Sequence, residues 1–283
     1  MFVFKAGVLG AGTMGGEIAF SIANVDIPVV MKDVRQELVD AGIDKARSLW
    51  QGRVDQGKLT AEERDAKLAL ITGTTSYDGF GDVDFVVEAV PERMEIKQTV
   101  FAELDEATPG HAILASNTSS LSISEMGEAT SRPDKVVGFH YFYPASMMRL
   151  IEVVEGEHTS PETAQAAGNF AQALKKMPIR CTEEPGFVVN RILNSSFGEV
   201  FRFQEENDIP IEEIDRVMAE AKASPMGPFF LVDLLGLDTV AHVGKHLNEV
   251  YGDRFPLHAG MLELVEQGHL GAKTQKGFYE HGG

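Results

Sequence analysis

The run Val3 to Gly15, VFKAGVLGAGTMG, constrains the fold more than any other stretch of the chain. An apolar segment ends in Gly10-Ala11-Gly12-Thr13-Met14-Gly15 and passes directly into a helical pattern, EIAFSIAN. A second apolar segment, Ile27 to Met31, follows and is closed by Asp33. A GxGxxG alone is weak evidence. Strand, glycine loop, helix, strand and acid in that order specify a dinucleotide-binding unit. Gly10 permits a tight turn, Gly12 lets backbone approach a pyrophosphate, and Gly15 lets the helix pack close to the strand. The helix N-terminus then offers unpaired N–H groups and partial positive charge to phosphates. A carboxylate at Asp33 would bond a ribose diol and repel a 2′-phosphate, so the expected cofactor is NAD rather than NADP. The competing reading is a glycine-rich turn in another kind of α/β protein.

Strand-like segments recur through the first half: Val3–Leu9, Ile27–Lys32, Val83–Ala89, Ala112–Ala115, Val136–His140 and Leu150–Val154. Asp33 to Ile71 reads as two helices, the second opened by a capping box at Thr60-Ala61-Glu62-Glu63. Alternating β and α elements predict a Rossmann-type, doubly wound parallel sheet. The segments at 136–140 and 149–154 are too close for a crossover helix, which predicts an antiparallel pair at one edge. Past Pro185-Gly186 no strand pattern is evident. Helices are expected over Phe187–Glu206, Ile211–Ala221, Phe229–Tyr251 and Leu257–Gln267. The expected organisation is an NAD-binding domain over residues 1–184 and an all-helical domain over 185–283.

The 283 residues carry a net charge of −18, which argues against nucleic acid or an anionic membrane surface as partner. No apolar run approaches the ~18 residues of a membrane helix. Cys181 is the sole cysteine, which excludes an intrachain disulfide and suits a reducing compartment. With no secretory pattern before the glycine loop, a cytoplasmic location is expected. The histidines and carboxylates show no metal-ligand spacing, so no metal is expected.

His140 follows the apolar run Val136–Phe139 and falls at the carboxyl end of the sheet, where ligands of such folds bind. Histidine is the natural general base near neutral pH. Glu152 stands among apolar residues in LIEVV, where a carboxylate needs a partner. If the two strands form a hairpin, Glu152 can fix the His140 tautomer and stabilise its imidazolium. Taken singly, His140 reads equally well as a structural histidine, and Glu152 as part of a solvated face. Ser119, just past a strand, reads first as a turn or cap residue. Asn190 lies in an otherwise apolar helix face, so its amide must bond either a substrate or the other domain.

These residues resemble the L-3-hydroxyacyl-CoA dehydrogenases of fatty-acid β-oxidation. The similarity runs through GAGTMGGEIA, DFVVEAVPERMEIK, ASNTSSLSI, GFHYFYP, LIEVVEG, PGFVVNRIL, PMGPFFLVDLLGLD and KTQKGFY, in family order. It implies NAD-dependent oxidation of a (3S)-3-hydroxyacyl-CoA, with His140 as base, Glu152 as its orienter, and Ser119 and Asn190 beside the substrate. It implies cofactor contacts at Asp33, Glu92, Lys97, Ser119 and Lys273, beside the glycine loop. It also implies a homodimer formed through the C-terminal domain, which covers the acyl chain. The family usually has asparagine where Tyr143 stands, and a phenol cannot replace both amide functions. Arg53 and Lys58 are the only cations in Gln51–Lys58, at the expected CoA-phosphate end, and Gln275 replaces a common glycine. Two further readings stay open: a dehydrogenase of a non-CoA hydroxy acid, such as a sugar acid or carnitine, and a noncatalytic NAD-binding structural protein.

Overall fold

The computed structural model describes residues 2–282 and divides into two compact units between Glu183 and Glu184. The first is built on an eight-stranded sheet in the order β3-β2-β1-β4-β5-β6-β7-β8. Its strands are β1 (Ala6–Leu9), β2 (Val29–Lys32), β3 (Ile71–Thr74), β4 (Phe85–Glu88), β5 (Ile113–Ser116), β6 (Val136–Tyr141), β7 (Leu150–Glu155) and β8 (Met177–Thr182). Six helices connect them: α1 (Thr13–Ala23), α2 (Gln36–Asp55), α3 (Ala61–Leu68), α4 (Met94–Ala107), α5 (Ile123–Glu128) and α6 (Pro161–Ala173). Strands β1 to β6 run parallel, β7 is antiparallel to β6, and β8 is parallel to β7.

The Rossmann-type sheet predicted from the alternating pattern is present. Two strands escaped that reading. β3 is a four-residue segment, ITGT, with one buried side chain. β8 contains Pro178 and Arg180, and its side chains are mostly half-exposed or exposed, as an edge strand tolerates. The antiparallel pair β6–β7 exists, but β8 extends the sheet beyond it, so the pair is not the edge. The core beneath the sheet is aromatic. Phe85 packs on Phe139 and Phe170, with ring centroids 5.2 and 4.6 Å apart. Trp50 of α2 packs on Phe20 of α1 at 4.8 Å, and its indole N–H donates to Asn24. The capping box at Thr60 and Glu63 is formed.

The order reverses between β1 and β4: β2 and β3 lie on one side, β5 onward on the other. The carboxyl ends of β1 and β4 therefore flank the crevice where doubly wound sheets bind ligands.

The second unit is helical: α7 (Val189–Asn207), α8 (Ile211–Glu220), α9 (Pro228–Leu235), α10 (Leu237–Tyr251) and α11 (Ala259–Glu266). The expected single helix over Phe229–Tyr251 is two, broken at Gly236, whose φ of 93° is left-handed. Two buried carboxylates organise this unit. Asp215 accepts from the backbone N–H groups of Phe229 and Phe230 in the first turn of α9, at 3.0 and 2.8 Å. Asp233 accepts from Phe278 N, Tyr279 N and His281 Nε2, tying down the C-terminal segment.

Candidate active site

The glycine loop joins β1 to α1. Gly10 has φ 92°, and a Cβ there would lie 2.5 Å from the Ala89 carbonyl oxygen after β4. A Cβ on Gly15 would lie 1.7 Å from the Gly10 carbonyl oxygen, so the closeness Gly15 permits is mainly between helix and loop. A Cβ on Gly12 would meet nothing within 4 Å, because Gly12 borders open space. Gly12 is also the N-cap of α1 and places no side chain over the first-turn N–H groups.

Asp33, just past β2, turns its carboxylate back to the loop: Oδ2 accepts from Ala11 N at 2.7 Å and Oδ1 from Val34 N at 2.7 Å. Each oxygen keeps acceptor capacity for a ligand hydroxyl. A cleft of about 810 Å³ opens here, lined by Gly10, Gly12, Thr13, Met14, Asp33 and Val34 on one side. Val90, Ile96, Thr99 and Val100 supply apolar surface on the other. Exposed helix amides, a diol acceptor and an apolar slot suit the phosphates, ribose and adenine of a dinucleotide. The chain's own residues therefore fit NAD.

Ser119 lies in the turn after β5, beside a buried polar cluster. Lys97 is 1% exposed and Glu88 0%. The Lys97 ammonium donates to both Glu88 oxygens, at 2.7 and 3.0 Å, and pairs with Glu92 at 3.2 Å. Glu92 in turn accepts from Ser119 N at 3.1 Å. Lys97 thus reaches the Ser119 turn through Glu92.

His140 and Glu152 are directly opposed in the β6–β7 ladder, so their side chains share one face. His140 Nδ1 and Glu152 Oε2 are 2.8 Å apart, in a setting where the residues are 6% and 0% exposed. The Phe142 ring stands 4.6 Å from the imidazole. Tyr143 follows, 61% exposed. A second carboxylate steadies the loop beyond it: buried Glu17 of α1 accepts from Ser146 N and Oγ, at 2.9 and 3.0 Å.

Arg53 is drawn into a small cleft of about 230 Å³ that also presents Arg149, Lys175 and Lys176. Its guanidinium lies 4.9 Å over the Phe20 ring and donates to Asn24. Lys176 is anchored on the Ala145 and Met148 carbonyls, and burial lowers its pKa while Glu17 opposes the shift. In a chain of net charge −18, this cleft gathers four cationic side chains. Neighbouring lysines in sequence are a signal, but their closeness to Arg53 depends on β8. Lys58 does not line the cleft; its ammonium donates to Gln56. Asn190 and Lys273 belong to the second unit. Asn190 opens α7, with its carbonyl accepting from Asn194, and Lys273 pairs with Asp238 at 2.5 Å.

Models of the 3-hydroxyacyl-CoA dehydrogenase NAD binding domain and C-terminal domain match residues 5–184 and 186–281. The chain belongs to the 3-hydroxyacyl-CoA dehydrogenase family. Its first unit is the family's NAD-binding domain. The chain is 41% identical to the fatty acid oxidation complex subunit alpha of Pseudomonas savastanoi pv. phaseolicola over 285 residues, 99% of this chain and 39% of that protein. It thus spans about two-fifths of the curated relatives it matches. The solved (S)-3-hydroxybutyryl-CoA dehydrogenase of Ralstonia eutropha is 37% identical, with a TM-score of 0.95 and 100% of both chains covered. A diketoreductase acting on dicarbonyl compounds is 26% identical, with a TM-score of 0.85 and 99% of each chain covered. Among the described residues no helix is long and apolar enough to cross a membrane.

Proposed function

We propose that the protein catalyses reversible NAD-dependent oxidation of a short-chain (3S)-3-hydroxyacyl-CoA, such as 3-hydroxybutyryl-CoA, to the 3-oxoacyl-CoA. The observation that carries this reading is the buried His140–Glu152 pair at the carboxyl end of a dinucleotide-binding sheet. Glu152 takes the Nδ1 proton in a hydrogen bond, which leaves the Nε2 lone pair to receive the substrate hydroxyl proton. As Nε2 gains that proton, the nearby carboxylate stabilises the imidazolium. General-base assistance of this kind contributes about 10²- to 10⁴-fold. NAD⁺, when bound, supplies the acceptor for the C3 hydride. In the reverse direction the imidazolium returns its proton to the ketone oxygen. Ser119 donates a hydroxyl hydrogen bond to that oxygen as charge develops there.

Gly12, Thr13 and Met14, at the N-terminus of α1, hold the pyrophosphate, and Asp33 takes the adenosine ribose. Arg53, with Arg149 and Lys175, receives the CoA phosphates, and Tyr143 borders the substrate. Asn190 and Lys273 are assigned to substrate and cofactor on family resemblance alone. A homodimer formed through the helical unit is supported by a cleft of about 360 Å³ on α7 and α8, lined by Val200, Phe203, Ile214, Val217 and Met218. Bacterial relatives support a cytoplasmic location.

The test follows NADH absorbance with acetoacetyl-CoA, run beside free acetoacetate. Oxidation with the thioester alone supports the proposal, and its loss in His140→Gln with NAD binding retained assigns the base. Oxidation of free acetoacetate alone would favour a non-CoA substrate, a reading that exposed Tyr143 and the diketoreductase neighbour keep in view. No oxidation with either substrate, in wild type as in His140→Gln, with NAD binding retained would point to a noncatalytic NAD-binding protein.

A further inference from the structure

Five residues at the carboxyl ends of β4 and β5 form a closed polar circuit, four of its links between side chains and one through the Thr118 backbone N–H. Glu88, the last residue of β4, accepts from Ser116 Oγ at 2.6 Å. Ser116, the last residue of β5, accepts from Thr118 N at 3.1 Å. Thr118 Oγ1 donates to Glu92 Oε1 at 2.5 Å. Glu92 Oε2 pairs with Lys97 at 3.2 Å, and Lys97 closes the loop on Glu88. Glu88, Ser116, Thr118 and Lys97 are all buried, with exposures of 0, 0, 1 and 1%. Two carboxylates share one ammonium, so the circuit depends on hydroxyl and amide donors to satisfy the remaining charge.

Thr118 is the point where this circuit meets the Ser119 turn. While its hydroxyl donates to Glu92, it accepts from Leu121 N at 2.9 Å and Ser120 N at 3.3 Å. Glu92 Oε1 also accepts from Ser119 N and, at 3.4 Å, from Ser120 Oγ. One hydroxyl and one carboxylate oxygen thus bond each residue from 118 to 121 and hold the backbone of the Ser119 turn. A turn that merely ended a strand would not require a buried ion pair behind it.

We infer that Thr118 and Glu92, held by the Glu88–Lys97 pair, are positioning residues that aim the Ser119 hydroxyl at the reacting oxygen. This inference rests on the dehydrogenase reading above.

The decisive variant is Thr118→Val, which keeps the side-chain shape and removes the hydroxyl. Thr118→Ser is its control, and both are compared with wild type at equal folded fraction. Three quantities are read: kcat with acetoacetyl-CoA, NADH affinity by fluorescence, and amide hydrogen exchange over residues 117–121. Misplacing a catalytic group by a fraction of an ångström lowers kcat by about 10- to 100-fold, with NADH affinity held within about two-fold. Thr118→Val should show that split together with faster exchange of the turn, and Thr118→Ser should restore both. Unchanged kcat, unchanged exchange, or a loss of NADH affinity that matches the loss of turnover would each overturn the inference. An inactive wild type overturns the dehydrogenase reading and this inference with it, whereas an active wild type with an equally active Thr118→Val overturns the inference alone.

Discussion

Glu152→Gln probes the proposed chemistry most directly. The carboxylate lies 2.8 Å from His140 Nδ1, is fully buried, and occupies the directly opposed position in the ladder. Glutamine matches its volume and can still accept from Nδ1 through its amide oxygen, so packing is retained. What is lost is the charge that favours the imidazolium as His140 takes the proton. A hydrogen bond to a charged partner contributes about 1.5–3 kcal/mol and one between neutral groups about 0.5–1.5, a difference of about 1–1.5 kcal/mol. At 1.36 kcal/mol per decade of rate, kcat falls by about 5- to 15-fold. If the amide rotates and donates to Nδ1, the imidazole is held in the wrong tautomer, and the loss approaches the about 10⁴-fold ceiling of general-base catalysis. The assay is steady-state NADH oxidation by acetoacetyl-CoA in wild type, Glu152→Gln, His140→Gln and the double variant. If Glu152 acts through the imidazole, its substitution costs less than about two-fold once His140 is gone. Full activity in Glu152→Gln, or an undiminished cost in the His140→Gln background, would refute the reasoning.

Asp33→Asn keeps an acceptor for Ala11 N but removes the charge, so NAD⁺ affinity should fall about tenfold and NADP⁺ discrimination narrow, read by titration of both cofactors. Arg53→Ala and Arg149→Ala should raise the KM for acetoacetyl-CoA at nearly constant kcat, with the effect shrinking at high salt, whereas unaltered KM in both would remove the cationic cleft from the substrate site. His258, which caps α11 by accepting from Met261 N and bonds Gln204 through Nε2, has its pKa lowered below 6.5 by burial, with Glu205 opposing. The unfolded chain then binds a proton the folded one excludes, so stability is fully present above about pH 6.5 and declines as pH falls toward the folded pKa. Urea midpoints across that range should show this decline in wild type and lose that component in His258→Gln.

Much of the site is legible in the sequence because its parts are local. The glycine loop, Asp33 and the first helix lie within a single βαβ unit, and their spacing carries the geometry. The His140–Glu152 pair is legible for a related reason: two strands with no room for a crossover must form a hairpin, and a hairpin sets the register that opposes the two residues. The circuit behind Ser119 follows no such rule. Glu88, Ser116 and Lys97 come from two parallel strands and a helix, and Glu88 reads in sequence only as the polar end of an apolar run. Parallel neighbours are joined by long crossovers, so side chains meeting at their ends leave no periodic trace. The same holds for the cations around Arg53, which come from α2, the segment before β7 and the segment before β8. An edge strand with a proline has no alternating pattern to announce it, and without β8 nothing places Lys175 beside Arg53. Local motifs therefore declare the cofactor site and the His140–Glu152 pair, whereas the groups proposed to aim the site and to meet the rest of the substrate depend on strand order. That division is why family membership follows from short blocks of sequence, while substrate choice has to be tested at Tyr143, Arg53 and Arg149.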